Sequence, residues 1–427
     1  MSIRPAGLLL LLAALLSSGC ASYAQRANGV ESLLAAGHLA EALARLEPKG
    51  GGDEALVLLN RALVLRMQGD YAGSNAALAR AKGVMGALEA VSVTEQTAAL
   101  TVNETLRAYA GSPFERVLLH FYMALNYLQL GQPDDARVEA LQVDQRLQQL
   151  GEGSDDPPVG EVAVVRYLNG VIFEQLGEWS DAMIAYRKAY QAYVHADMRP
   201  PHSLGLALVR LADYLGMTDE QRRYEKVFAI HEWEPLAEFR RQGEMILFIA
   251  TGLAPHKREE SLNTIAPQSG LMVRIALPGM SPRVQPVGEV QVTVDGETDP
   301  AELAADIDRL GQQALAAELP AITARAIARA VVKYRAAKEV DRRNEGLGAL
   351  MNIAGMLTER ADTRSWFTLP QRLYLQRRAL PPGRHSVRVS LYDHAGRLLA
   401  EKHFADVSLQ AGDKVYLSWH WIPASPT

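Results

Sequence analysis

The residue types that perform catalysis or bind metals are scattered through this sequence rather than grouped. Its ten histidines form neither HExxH nor another metal-binding spacing, and no GxSxG, P-loop or GxGxxG motif is present. Asp306 and Asp308 are two residues apart in a helical stretch, so their carboxylates would project in different directions and would not share a metal ion. The sequence therefore predicts a non-enzymatic protein with no cofactor and no metal site.

Two further candidates for chemistry have simpler explanations. Asp155 and Asp156 lie in GEGSDDPPVG, residues 151–160, but their spacing is not that of an EF-hand calcium loop. The Gly and Pro residues around them indicate a solvated connector instead. Ser365 has no base at a recognisable spacing, which a serine nucleophile requires. Neither group is predicted to bind a ligand or to react.

Two tryptophans near the end of the chain are the remaining candidates for a ligand site. Trp419 and Trp421 alternate with His420 on a predicted strand, which places both indoles on one face and the imidazole on the other. Packing in a core or interface is the favoured role of the tryptophans, and carbohydrate stacking is the alternative.

The single cysteine, Cys20, directly follows an apolar run near the start of the chain. Residues Leu8 to Leu16 form the h-region of a signal peptide, and small residues lead from them to the cysteine. The run is far shorter than the roughly 20 apolar residues of a spanning helix. The stretch ending in Gly-Cys resembles a bacterial lipobox, although Ser17 stands where the commonest form has Leu. This resemblance implies a lipoprotein signal peptide over 1–19 and acylation of Cys20, with an ordinary secretory signal as the alternative.

Composition limits the class of protein. The chain has 427 residues, 48% of them hydrophobic, which is enough for two or three domains with packed cores. Its formal net charge is -5 at pH 7, which does not suit nucleic acid as a partner. One cysteine cannot form an intrachain disulfide.

Residues 20–242 show the periodicity of paired helices. The clearest stretch, 164–193, resembles a tetratricopeptide repeat, in which a Gly marks the turn and small residues let two helices approach. The repeat-packing positions are Ala62, Gly69, Tyr71, Ala124, Tyr127, Gly131, Ala136, Gly170, Phe173, Gly177, Trp179, Ala182, Tyr186 and Ala189. An extra helical element is expected at about 86–110. Stacked units of this kind leave a concave surface for a peptide or protein, whereas a generic helical bundle is the alternative.

The period changes in residues 243–427, where short alternating runs predict β-strands of a β-sandwich-like domain. Helical sequence interrupts these strands at about 300–362. Asp299 is the expected N-cap of this insertion, with Pro300 at the first helical position. Pro320 is expected to begin or kink a second helix.

A third, more apolar helix is expected at GALMNIAGMLTERAD, residues 348–362. Packing onto the strands or the repeats is the favoured role of this helix, and a membrane-facing or oligomer-facing role is the alternative. The predicted fold is therefore α+β: an N-terminal tetratricopeptide-like α-solenoid, followed by a β-sandwich-like domain with a helical insertion.

Five stretches together resemble a family of uncharacterised Gram-negative lipoproteins that carry tetratricopeptide repeats. These are FERVLLHFYMALNYLQLGQPDDARVEA, GLAPHK, LPAITARAIARAVVK, ADTRSWFTLP and LPPGRHSVRV. The resemblance implies a role in the cell envelope and brings no catalytic residue with it. Ala21 after the cysteine is typical of lipoproteins sorted to the outer membrane.

The functional hypothesis is a non-enzymatic, lipid-anchored scaffold at the outer membrane that faces the periplasm. Its partner would be a periplasmic or outer-membrane protein, with the peptidoglycan-synthesis machinery as one candidate, and its membrane contact would be the lipid anchor on Cys20. A periplasmic carbohydrate-binding or peptidoglycan-binding protein, or a hydrolase that uses the β-rich domain, is the alternative.

Overall fold

The computed structural model describes residues 25–99, 107–151, 161–265, 272–343, 347–357 and 359–424. The predicted signal peptide, the lipidation site Cys20 and the loop with Asp155 and Asp156 lie outside these residues. Within them the fold mixes helices and strands, as the sequence predicts.

The first part of the chain forms antiparallel helical pairs, here called the array. Its helices are α1 (25–35), α2 (Leu39–Arg45), α3 (Glu54–Met67), α4 (Tyr71–Ala99), α5 (Pro113–Gln129), α6 (Pro133–Gly151), α7 (Ala163–Gln175), α8 (Trp179–His195), α9 (His202–Tyr214) and α10 (Thr218–Phe228), and the short α11 (Leu236–Phe239) follows. The turn inside each pair carries a glycine in the left-handed region, with φ between 71° and 83°, at Gly37, Gly69, Gly131, Gly177 and Gly216. A residue with a side chain is strained in this conformation, so these glycines determine where each pair turns.

Close contact of small and aromatic residues holds each pair together. Gly170 of α7 lies so close to α8 that a Cβ atom added to it would be 2.4 Å from Cδ1 of the Tyr186 ring. Tyr186 is fully buried there. The predicted packing residues Ala62, Ala124, Ala136, Phe173, Ala182 and Ala189 are buried as well, whereas Tyr127 and Trp179 are half-buried at the edge of the same core.

The extra element expected at about 86–110 is not a separate helix in its described part. Helix α4 continues without a break from Tyr71 to Ala99, a length of 29 residues. Its sequence is rich in Ala, the residue with the highest helix propensity, and contains no Pro to stop it.

The strands form two four-stranded sheets and a separate hairpin. They are β1 (Gly243–Thr251), β2 (His256–Ile265), β3 (Met272–Ser281), β4 (Val287–Val294), β5 (Glu297–Pro300), β6 (Glu302–Asp306), β7 (Arg372–Leu380), β8 (Gly383–Asp393), β9 (Leu398–Leu409) and β10 (Lys414–Trp421). Sheet I has the strand order β10-β1-β7-β6, sheet II has the order β5-β4-β8-β9, and β2 pairs with β3. The pairing of β1 with β10 is parallel, and the other pairings are antiparallel.

Strand β1 is buried on both faces and connects the layers of the molecule. Ile246, Phe248 and Ala250 belong to the apolar core shared with the array. Met245, Leu247 and Ile249 belong to a second apolar cluster, shared with sheet II. Because successive side chains of a strand point to opposite faces, sheet I forms a middle layer between the helices and sheet II.

The predicted start of the helical insertion is wrong. Asp299 and Pro300 lie in β5, because the two-residue Asp-Gly turn after β4 closes a hairpin that holds this segment extended. Pro300 is tolerated because β5 is an edge strand of sheet II. The helix begins at Ile307, where Asp306 Oδ1 accepts a hydrogen bond of 3.0 Å from the Arg309 amide.

The insertion consists of α12 (Ile307–Arg343) and α13 (Leu347–Leu357). Pro320 does not begin a second helix, since this residue lies inside the single helix α12. Just after α13, Glu359 is buried and accepts from Arg329 and Lys333 of α12, at 3.1 Å and 2.6 Å. The insertion therefore packs as a helical hairpin, while Leu350 and Ile353 of α13 remain exposed.

We expect Gly170→Ala to destabilise the protein by about 1–3 kcal/mol, because the added methyl group overpacks the Tyr186 ring. Gly83→Ala in α4 is the matched control, since no atom lies within 4 Å of an added Cβ there. This control should gain about 0.5–1 kcal/mol from helix propensity. The free energy of unfolding from urea titration measures both changes, and equal effects of the two substitutions would contradict the packing described.

Candidate functional site

Helix α5, the first helix of its pair, faces sheet I. The rings of Phe121 in α5 and Phe248 in β1 meet edge to face, with centroids 5.7 Å apart. Gln129 Nε2, at the end of the same helix, donates to Ser418 Oγ of β10 at 3.1 Å. This face of α5 is therefore covered by the chain's own sheet and is closed to a partner.

The segment before β7 also packs on the array. The backbone N–H of Trp366 donates to Glu115 Oε1 of α5 at 2.9 Å, and its indole meets the Tyr122 ring at a centroid distance of 5.9 Å. Arg364 Nη1 donates to Asp53 Oδ1, just before α3, at 2.8 Å. Ser365 lies between these two packing residues, in a segment that attaches the strands to the helices.

A groove remains open where the start of the array meets the edges of both sheets. Its volume is about 790 Å³, within the range of ligand pockets. The lining comes from the α1–α2 turn, the α3–α4 turn, α5, β1, β7, β9 and β10: Leu34, Ala35, Ala36, Gly37, Leu39, Leu63, Arg66, Met67, Gln68, Gly69, Tyr71, Tyr122, Leu125, Phe248, Ala250, Leu373, Lys402, His403, Phe404, Ser418, Trp419, His420, Trp421, Ile422 and Ala424. We call this space the groove.

Arg66, in the last turn of α3, is the central polar group of the groove. Its Nη1 donates to Asn126 Oδ1, and the guanidinium lies 5.2 Å from the Tyr71 ring centroid and 5.9 Å from that of Tyr122. Its Nη2 is buried and has no hydrogen-bond partner among the described residues. Burial lowers the pKa of Arg66 to about 10, so the side chain is still a cation at neutral pH.

The charge of the groove is positive. Arg66 and Lys402 are its formal cations, and His403 and His420 are its histidines. No acidic side chain is present in the described lining. A concave site with one sign of charge raises the local concentration of ions of the opposite sign, so the groove favours an anionic ligand.

His420 is a neutral polar group in this site. Its Nε2–H donates to the Gly252 carbonyl at 2.7 Å. Burial, aided by the nearby charge of Arg66, lowers its pKa to about 4 against the opposing effect of that hydrogen bond. The imidazole is therefore uncharged at pH 7.

Trp419 and Trp421 have two environments. Both are half-buried and pack against the apolar cluster between sheets I and II. Both also border the groove, beside Phe404 of β9. The packing role and the ligand-stacking role considered from the sequence are therefore compatible with the position of these residues.

No group of three or more His, Cys, Asp or Glu side chains in the described ranges is arranged to hold a metal ion. Asp306 is not on a helix with Asp308, because it ends β6, where it pairs with Arg372 at 3.2 Å. Asp308, in α12, accepts from Gln371 Nε2 at 2.6 Å, and burial raises its pKa to about 6. In the same described ranges, no helix combines the length and the apolar character needed to cross a membrane.

At the opposite end of β1 and β10 from the groove, a buried cluster of four charges joins the array to sheet I. Arg377 of β7 bonds to Glu174 of α7 at 2.7 Å and to Glu244 of β1 at 2.5 Å. Lys414 of β10 contacts the same two carboxylates, with 2.9 Å between Nζ and Glu174 Oε1. Each of the four side chains is at most 7% exposed. We call these residues the four-charge cluster.

The charges in this cluster neutralise one another. Burial alone would raise the pKa of Glu174 and of Glu244, but Arg377 and Lys414 outweigh burial and hold both values below the usual range. The Tyr186 hydroxyl, held by Gly170 packing, donates to Glu174 Oε2 at 2.5 Å and accepts from Arg377 at 2.9 Å. Both carboxylates of the cluster, Glu174 on the helix and Glu244 on the strand, therefore have charged partners.

Arg377→Met should destabilise the protein by about 3–5 kcal/mol, because two buried carboxylates would then share the single charge of Lys414. Arg397→Met is the matched control: Arg397 also pairs with a carboxylate, that of Asp393, but its side chain is 82% exposed. The control should change stability by less than about 1 kcal/mol. Thermal unfolding followed by circular dichroism compares the two variants, and similar losses would refute a special role of the four-charge cluster.

Sequence reasoning did not find Arg66 or the four-charge cluster. One signal for the cluster was present, since Glu244 begins the apolar strand sequence EMILFIATG and a buried carboxylate requires a partner. Nothing in the local sequence distinguishes Arg66 from other arginines on helices. Its lack of an acidic partner among the described residues depends on the residues of α4, α5 and β10 that surround it.

Comparisons with known proteins add little to these observations. No protein-family profile matches the chain, and no curated protein matches it. A solved structure titled MamA AMB-1 is 16% identical, with a TM-score of 0.31 over 50% of this chain and 94% of the MamA chain. The Rap conjugation gene regulator of plasmid pLS20, in complex with the Phr* peptide, is 14% identical, with a TM-score of 0.29 over 44% of this chain and 46% of its own. Likenesses at these TM-scores carry no argument about function.

Proposed function

We propose that this protein is a non-enzymatic scaffold that binds a segment of a protein partner in the groove. The observation that carries the proposal is the groove itself: a space of about 790 Å³ with aromatic walls and the half-buried cation Arg66, whose buried Nη2 has no partner among the described residues. Sites that bind ligands combine apolar walls with a few placed polar groups in this way.

This site lies elsewhere than the concave surface of the stacked repeats, where the sequence predicts that a partner binds. The helical pairs support classification of the array as a tetratricopeptide-like solenoid, and the two facing sheets support a β-sandwich-like domain. Because sheet I covers α5 around Phe121, a partner is received at the junction of the two parts. The junction is accessible, since Gln68 and Lys402 at its rim are exposed.

We further propose that Cys20 anchors the protein by lipid in the outer membrane, facing the periplasm. The signal-peptide layout and the Gly-Cys stretch support this anchor, and Ala21 supports outer-membrane sorting. The partner is then a cell-envelope protein, with the peptidoglycan-synthesis machinery as the first candidate.

The alternative function is binding of carbohydrate or peptidoglycan. The observation in its favour is that Trp419 and Trp421 border the groove, because indole rings are suited to stacking on sugar rings. The same binding surface would then serve a glycan in place of a protein segment.

A photo-crosslinking residue at position 68 tests the site of partner binding. We expect the variant with this residue in place of Gln68 to form a discrete adduct with one envelope protein in cells. Mass spectrometry identifies the protein in the adduct. The control places the same residue at Arg222, an exposed position on α10 far along the array. Adducts of equal yield at both positions would contradict partner binding in the groove, and an adduct with muropeptides alone would favour the glycan function.

Lipidation is tested separately with Cys20→Ala. The unmodified chain should incorporate labelled palmitate and fractionate with outer membranes, whereas the variant should lose the label and leave the membrane fraction. This loss follows because each buried methylene of an acyl chain contributes about 0.8 kcal/mol to membrane binding. An unlabelled wild-type protein that fractionates like the variant would support the ordinary secretory signal instead.

A further inference from the structure

We propose that the ligand of the groove is an extended peptide with a free carboxylate, and that Arg66 binds this carboxylate. The inference rests on the proposed function, because it names the chemistry of the segment that the groove receives. Three features carry it: the unpaired guanidinium edge of Arg66, the network that holds this side chain, and the free edge of strand β10.

The unpaired edge of Arg66 indicates an anionic partner. A buried N–H group without an acceptor is costly, and the cost is greater for a charged donor. Among the described residues, Nη1 has only the neutral acceptor Asn126, and Nη2 has no acceptor. In the described lining of the groove, no acidic side chain is present to neutralise the cation. A carboxylate from outside the chain would supply both the missing acceptor and the missing charge.

The surroundings of Arg66 hold it ready for such a ligand. Asn126 Nδ2 donates to Ser74 Oγ and to Asn75 Oδ1, both at 2.9 Å, which orients Asn126 Oδ1 towards Arg66. Ser74, Asn75 and Asn126 are all buried. Tyr71 adds an aromatic face to the guanidinium. A fixed, planar guanidinium suits the planar geometry of a carboxylate. Because folding already orders this side chain, little further conformational entropy is lost when a ligand binds.

The strand edge beside Arg66 indicates an extended peptide as the carrier of the carboxylate. In sheet I, β10 is hydrogen-bonded to β1 on one side and is the last strand on the other. Residues 418–422, at the end of β10, line the groove. An exposed edge offers backbone N–H and C=O groups to an added strand. Leu39 and Phe404, which are half-buried in the lining, provide apolar contacts for side chains of that strand.

The test compares two peptide libraries on the purified full-length protein in detergent. Both libraries are biotinylated at the N-terminus and random over the last residues, but one ends in a free carboxylate and the other in an amide. We expect the free-acid library to be retained about tenfold or more above the amide library, because only the acid offers a charged acceptor to Arg66.

Two variants of Arg66 test whether this side chain causes the preference for the free acid. Arg66→Gln should remove the preference for the free acid, and Arg66→Lys should keep part of it by retaining the charge. Arg80→Gln is the matched control, since Arg80 lies on α4 with its side chain 59% exposed. Circular dichroism melting checks the fold of each variant, and the acid-to-amide comparison on the unmodified protein stands even where a variant fails to fold.

The outcomes separate this inference from the proposed function. Equal retention of both libraries would overturn the role of the carboxylate and leave peptide binding in the groove intact. Retention of neither library would overturn the peptide inference, and the adduct at position 68 decides independently whether the groove binds a partner at all. Retention of soluble muropeptides in place of either library, lost in Arg66→Gln, would overturn the peptide in favour of a glycan-linked carboxylate.

Discussion

The docking of the helical array on sheet I depends on the four-charge cluster. Its members come from α7, β1, β7 and β10, so one small group of ion pairs joins elements that are far apart in the sequence. Ion pairs inside a protein are a poor source of net stability, but a buried charge without its partner is strongly unfavourable. Apolar contacts between the layers would tolerate small shifts, whereas Glu174 meets both Arg377 and Lys414 in only one register. We infer that the cluster selects this arrangement of the layers.

The middle position of β1 has a consequence for binding. Because one face of β1 belongs to the core of the array and the other to the core of the two sheets, the sheet must lie against the array. The array surface around Phe121 is therefore used inside the molecule. The proposed binding site lies where this internal interface ends, in the groove between the α3–α4 turn and the edge strand β10.

Two arginines in similar surroundings show the difference between a structural and a binding role. Arg377 and Arg66 both contact tyrosine rings, but the side chain of Arg377 is buried, whereas Arg66 is half-buried, with its Nη2 atom out of contact with solvent. Arg377 is neutralised by two carboxylates, and its pKa is raised well above the usual value. Arg66 has an amide oxygen in place of a carboxylate, and burial lowers its pKa. The first arrangement is complete in the folded chain, whereas the second is completed by a ligand, as is typical of functional sites.

The local elements of this protein follow from its sequence, because they depend on residues close together in the chain. Helical periodicity, the turn glycines from Gly37 to Gly216 and alternating strands predict most helices and strands, and the Asp-Gly turn before β5 was a readable signal for the hairpin that displaced the expected cap at Asp299. Only the tertiary structure decided that sheet I covers α5. It also decided that Glu174 pairs with two cations, whereas Arg66 has no carboxylate partner among the described residues. Periodicity shows which face of an element is apolar, but not which surfaces meet, and the pairing of buried charges depends on that meeting.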